Sequence, residues 1–170
     1  GELLSFYLFN GYTKQNGFKR QRNKQFGYHL STIDAAYDSY INDSHTTATN
    51  VKRAFEECYV NVKNPYYISE DYETWTPIEF GKELYSKGII TETEYNSLRK
   101  LSGGDKTLQN TAASKRIRGY LYKRGYDSIV YMNKYRDPHS LTVVVFDTSR
   151  FSIVARHSIT KDGEYQNLID

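Results

Sequence analysis

Three features of the sequence predict an α+β fold: apolar, aromatic strand-like runs near both ends, a middle section written with a helical period, and no repeat or long linker dividing the 170 residues. A chain of this length buries roughly two-thirds of its unfolded surface, so a single domain spanning 1–170 needs no metal or disulfide staple. Tyr occurs 17 times whereas Trp75 and Met132 stand alone, a polar but aromatic-rich composition that excludes a disordered chain. The lone Cys58 has no partner for an internal disulfide, and no Cys or Cys/His spacing suggests zinc. A reducing compartment, the cytoplasm, is expected. No apolar run approaches a membrane span and none reads as a signal peptide, so no membrane partner is expected.

The elements follow from local pattern. "LLSFYLFNGY" is a continuous apolar run ended by Asn10-Gly11, a buried strand passing into a turn. After a basic loop, "FGYHLS" reads as a short strand. Ser31 or Thr32 then caps a helix in which Ile33, Ala36, Tyr37, Tyr40 and Ile41 recur at helical spacing. "VKRAFEECYVNV" reads as a long, partly exposed strand with Glu56 and Glu57 on its outer face, closed by "NPYYI" because Pro65 cannot continue a ladder. Pro77 opens a helix that Gly88 ends, and Thr91 with Glu94 forms a capping box for the next, broken at Gly103-Gly104. A further helix spans about Leu108 to Lys123 and stops at Gly125. "YDSIVYMNKY" and "LTVVVFD" are strands joined across the Asp137-Pro138 turn, and "RFSIVARHSI" is a last one.

The net charge of +3 is too small to announce nucleic-acid binding, but it is unevenly spread. Lys14, Lys19, Arg20, Arg22 and Lys24 crowd the loop after the first strand, and Lys115, Arg116, Arg118, Lys123 and Arg124 fall on or beside one helix. Both groups suit a phosphate-bearing ligand, and both suit a solvated face. His29 stands alone between Tyr28 and Leu30, where a histidine is ordinarily hydrogen-bonded into a core.

Four short motifs in order, "YLFNGYT", "FGYHLSTIDAAYDSY", "VKNPYYI", and "RGYDSIVYMN" leading into "TVVVFDTSRFSI", resemble the ADP-ribosyltransferase superfamily, above all its bacterial and phage-associated branch, close in layout to the poly(ADP-ribose) polymerases. There the first strand ends in His-Gly-Thr or His-Gly-Ser, the second motif reads like Gly-x-Tyr-Phe-Ala, and a late strand ends in a Val-Phe-Asp-like tripeptide. The resemblance spans Phe6 to Ile153. It implies a split pair of small, mainly antiparallel sheets gripping NAD, with an acceptor that is a protein or a nucleic acid. It further implies that Asn10, Gly11 and Thr13 stand where His-Gly-Thr contacts the adenosine ribose and the nicotinamide amide. His29 takes the place of the aromatic that stacks on nicotinamide, with Tyr28 beside it. Ser31 at the helix start and Arg20 in the loop would face phosphates.

The chain departs from the family at the late strand. Aligning "VVVFD" puts Thr142 at the position of the glutamate that bonds the ribose hydroxyl and stabilises the oxocarbenium-like state, and no Glu lies between Asp127 and Asp162. Asp127 and Asp147 are the nearest carboxylates, and both read as structural.

Three functions are therefore expected in order: ADP-ribosyl transfer from NAD with His29 and Thr142 in the catalytic positions, acting in the cytoplasm of a bacterium or phage host; a degenerate domain of the same fold that binds a nucleotide or partner; and a tyrosine-rich nucleic-acid binder using Lys19, Arg20, Arg22 and Lys24 for phosphates and Tyr12, Phe18 and Tyr28 for stacking.

Overall fold

The computed structural model describes residues 4–11, 26–32, 34–35, 53–68, 71, 76–102, 111–135, 137–159 and 165–167. The strands are β1 (Leu4–Gly11), β2 (Tyr28–Ser31), β3 (Arg53–Val60), β4 (Pro65–Tyr67), β5 (Ser128–Met132), β6 (Leu141–Val145), β7 (Phe151–Ile159) and β8 (Tyr165–Asn167), with helices α1 (Pro77–Ser86), α2 (Glu92–Leu101) and α3 (Thr111–Lys123) between β4 and β5. Class α+β is therefore found as expected. The hydrogen-bonded order is β4-β5-β6-β2-β1-β3-β7-β8, two small four-stranded sheets joined where β1 meets β2 through Tyr7↔Ser31 and Leu8↔Leu30. Every pairing is antiparallel except β4–β5.

The sheets share a core. Leu30, Val130, Val143 and Val145 of one pack with Cys58, Val60 and Phe151 of the other, and the Tyr28 and Phe151 rings meet at 5.7 Å. The opposite face of β5 and β6 carries the helices: Ile129 and Val144 pack with Phe80, Leu84, Leu98, Ile117 and Leu121. Because β5 and β6 bury both faces, their sequences read as near-continuous apolar runs, and a polar side chain among them marks a special position.

Local chemistry explains the helix ends. Thr76 caps α1 with Pro77 in its first turn, Thr91 and Glu94 close the expected capping box of α2, and Gly88 and Gly125 adopt left-handed backbone after α1 and α3. Thr32 rather than Ser31 caps the helical turn at Asp34–Ala35, its Oγ1 accepting from the Ala35 N–H at 3.3 Å. Pro65, expected to close the preceding strand, does not: β3 ends at Val60 and Pro65 opens β4, which lies at the sheet edge, where a first-position proline loses no ladder bond. β8 has too short a pattern to be read from sequence. Glu57, expected on an exposed face, is half-buried.

Entry into β2 is tightly specified. Phe26 holds φ 71° with its ring buried against Phe80 at 5.2 Å, and a Cβ on Gly27 would lie 2.3 Å from the Val145 carbonyl oxygen. Only glycine fits there, and it delivers His29 two residues later in a fixed register opposite Val144.

Candidate functional site

β2 lies between β1 and β6 in the sheet, so the segments bearing Asn10-Gly11, His29 and Thr142 occupy three adjacent strands although 132 residues separate the first and last (142 − 10). β1 runs antiparallel to β2, which puts the Asn10–Gly11 end toward Tyr28; Thr142, opposite Tyr131 on β5, lies toward the Ser31 end. Thr13 and Arg20 lie outside the described residues, as does most of the helix expected after Thr32.

Strand alternation then sorts the side chains. His29, Ser31, Thr142 and Tyr131 share the face that carries Val144 and the helices, while Tyr28 points into the core between the sheets and packs on Phe151. The structure brings His29, Ser31 and Thr142 onto one face and separates Tyr28 from them.

His29 is half-buried. Its Nδ1 is 3.3 Å from the Tyr131 hydroxyl and the two rings meet edge-on with centroids 6.2 Å apart. One ring edge is thus anchored to the phenol, which fixes the orientation of the imidazole. Ser31 turns its hydroxyl to the Thr32 carbonyl at 3.2 Å.

Thr142 is 2% exposed, and Asn133, 5% exposed, donates from Nδ2 to Thr142 Oγ1 at 2.6 Å. The same amide reaches Ser140 Oγ at 3.1 Å. Ser140 is held by the turn: its backbone N–H and its hydroxyl both donate to the Asp137 carbonyl, at 3.1 and 2.7 Å. Pro138 at the second turn position and His139 at φ 72° give this turn a type II pattern, with histidine where glycine is usual. The Asp137 side chain accepts from the Thr32 hydroxyl, tying the β5–β6 turn to the start of the helix after β2.

Tyr131, Asn133 and Asp137 were missed in the sequence. The signal was present: Ile129, Tyr131 and Asn133 alternate along β5 and the residue that follows it, so the strand that buries Ile129 under the helices must aim the two polar residues at the same face. The carboxylates read as structural are so. Asp127 accepts from the Lys63 and Asn64 N–H groups at 2.8 and 3.2 Å and faces Arg150 at 3.4 Å. Asp147 caps the short helical turn Thr148–Arg150 through the Ser149 N–H at 2.8 Å.

Among the described residues no group of three or more His, Cys, Asp or Glu side chains is disposed to hold a metal, and no helix is long and apolar enough to cross a membrane. Compared with known proteins, the chain matches no family model, no curated protein and no solved structure.

Proposed function

We propose that the chain is an ADP-ribosyltransferase-like domain that binds NAD, or a nucleotide fragment of it, across β1, β2 and β6, and that has lost efficient cleavage of the nicotinamide–ribose bond. The observation that carries this reading is Thr142. A carboxylate there would stabilise positive charge developing on the ribose; the threonine is neutral, buried and already bonded by Asn133. Loss of one such transition-state group costs about 3 kcal/mol, roughly a hundredfold in rate. Binding is supported by the adjacency of the three motif strands and by His29. Its ring is half-buried, anchored at one edge by Tyr131 and set on the face opposite the sheet-to-sheet core, a disposition suited to stacking on a flat pyridine ring.

A second reading, transfer of ADP-ribose to a protein or nucleic acid, is favoured by Asp137, a half-buried carboxylate at the end of the cluster, held by Thr32. Calorimetric titration with NAD, paired with an assay for released nicotinamide, separates the two. Binding with release at background supports the degenerate domain. Brisk release lost on Asp137→Asn establishes the enzyme, and no NAD binding rejects both.

A further inference from the structure

We infer that the outward face of α3 is a binding surface for single-stranded nucleic acid. The helix turns Ala113, Ile117 and Leu121 into the core and leaves Lys115, Arg116, Gly119, Tyr122 and Lys123 exposed. Two of the five basic residues seen in the sequence are used within the fold: Arg118 is only 9% exposed, and Arg124 reaches Glu94 at 2.7 Å. No ion pair among the described residues engages the remaining three. Arg116 donates to the neutral Ser97 hydroxyl at 2.8 Å, and α3 contains no acidic residue. The contacts Arg116–Ser97 and Arg124–Glu94 run α2 antiparallel to α3, so exposed Arg99 and Lys100 at the end of α2 extend the basic surface past Lys115.

Gly119 adds an independent observation. It sits inside a thirteen-residue helix on the exposed side, and a Cβ placed on it would meet nothing within 4 Å. A glycine at an exposed helix interior is destabilising relative to alanine, and no neighbour among the described residues requires one. Close approach of a partner's backbone does. One turn on, Tyr122 is 68% exposed, flanked in sequence by Lys123 and one helical step from Gly119. Cations for phosphates, a bare spot for the sugar-phosphate chain and an open phenol for a base together fit a single strand, whose bases are free to stack. A duplex hides its base faces, and the carboxylates of an acidic peptide have no flat face to stack on the ring.

The test is fluorescence anisotropy of the full chain with a labelled oligothymidine across a salt series. Wild type should bind, more weakly as salt rises. Lys115→Ala with Lys123→Ala should lower the slope of log K against log salt by about 1.4, from roughly 0.7 per phosphate contact on a single strand. Tyr122→Ala should weaken binding about fivefold or more, with Tyr122→Phe close to wild type. Gly119→Ala should raise the melting temperature and yet weaken binding, opposite signs that a merely solvated helix face does not give. Absence of salt-sensitive binding overturns the inference. So does wild-type affinity in Gly119→Ala, equal competition by a duplex or polyglutamate, or affinity that disappears only when Lys19, Arg20 and Arg22 are replaced. NAD binding should be unchanged in all the α3 variants, which separates this surface from the site on β1, β2 and β6.

Discussion

Asn133 donates to Thr142 at 2.6 Å across the β5–β6 hairpin, with both side chains buried. The bond joins the residue after β5 to the second residue of β6, and through Ser140 it also fixes the turn that carries Asp137. A polar pair so placed is a specific structural element of the strand ends, and its energetics can be measured.

Thr142→Val keeps the shape of the side chain and leaves the Asn133 amide short of one acceptor while Ser140 still takes the other. The expected loss is about 1 to 2 kcal/mol, the range for a buried polar group left unpaired. Urea unfolding of Thr142→Val, Asn133→Leu and the double variant should show the double variant losing less than the sum, because the second change removes the group that the first orphans. Additive losses would mean that the pair is not coupled.

The His29–Tyr131 contact predicts a graded effect on NAD. His29→Ala should weaken binding about fivefold or more, by about 1 kcal/mol of lost stacking. Tyr131→Phe removes only the hydroxyl that anchors Nδ1 and should weaken it less, about two- to fivefold, on the scale of one net hydrogen bond. In a His29→Ala background the Tyr131 change should have no effect, since the hydroxyl acts through the imidazole. Calorimetry on the four proteins checks this, and an undiminished Tyr131 effect without His29 rejects the positioning role.

How much of this was legible beforehand depended on whether the controlling interaction was local. The caps at Thr91 and Glu94, Pro77 in its first turn and the left-handed glycines after two helices are decided within four residues, and the sequence states them. Pro65 misled because edge position is a property of the whole sheet: a proline expected to close one strand begins another where no neighbour needs its N–H. At the candidate site, motif order placed some residues and the fold placed others. His29 and Thr142 could be named from motif order, but Asn133 became visible only when the hairpin register set it against Thr142, and Tyr28 was assigned to the wrong side of its strand for a ring expected beside His29.

Tyr66 carries a testable cost. Its hydroxyl is buried without a hydrogen-bond partner among the described residues. Burial first, then the nearby charges of Glu83 and Tyr126, push its pKa up from 10.0 to about 12. The folded chain therefore holds this proton more tightly than the unfolded one, and stability contributed below pH 10 should drain away as pH rises from about 10 to about 12. Tyr66→Phe should be neutral or stabilising by up to about 1 kcal/mol at neutral pH, since it deletes an unsatisfied group without changing shape, and should flatten the alkaline limb of a stability-pH profile. A loss above 1 kcal/mol would reveal a partner for the hydroxyl.

Glu94 gives the acid counterpart. Slight burial pushes its carboxyl up, but the Thr91 N–H and the Arg124 guanidinium at 2.7 Å outweigh this and hold it below its ordinary 4.5. A depressed carboxyl stabilises the fold above its unfolded value and loses that contribution as pH falls through the folded one. Glu94→Gln should cost about 1 kcal/mol or less at pH 7, the range for a partly exposed pair. The difference from wild type should shrink as pH falls below the carboxyl's ordinary 4.5 and be lost once Glu94 is protonated in the folded chain, and Arg124→Ala should behave alike. A gap that persists in acid would assign the loss to the cap's shape rather than its charge.

The sharpest prediction concerns Thr142→Glu. If this position is the glutamate site of a transferase-like cleft, wild type should bind NAD and release nicotinamide at background, and the variant should raise release measurably, toward the roughly hundredfold that one transition-state group supplies. The gain will be partial. Thr142 is 2% exposed, so the new carboxylate enters a crowded, desolvated place, where the Asn133 amide, already within reach of the side chain, is the donor placed to compensate it among the described residues. Thr142→Glu should therefore unfold at lower urea than wild type while turning over more NAD, and Asn133→Leu added to it should abolish the gain by removing the donor that keeps the carboxylate ionised. Thr142→Gln, of the same length and without charge, should be destabilised and inactive. Turnover by Thr142→Gln equal to that of Thr142→Glu, or an active wild type silenced by Asp137→Asn, would show that the reacting ribose faces another carboxylate and that Thr142 is only a structural residue of the hairpin.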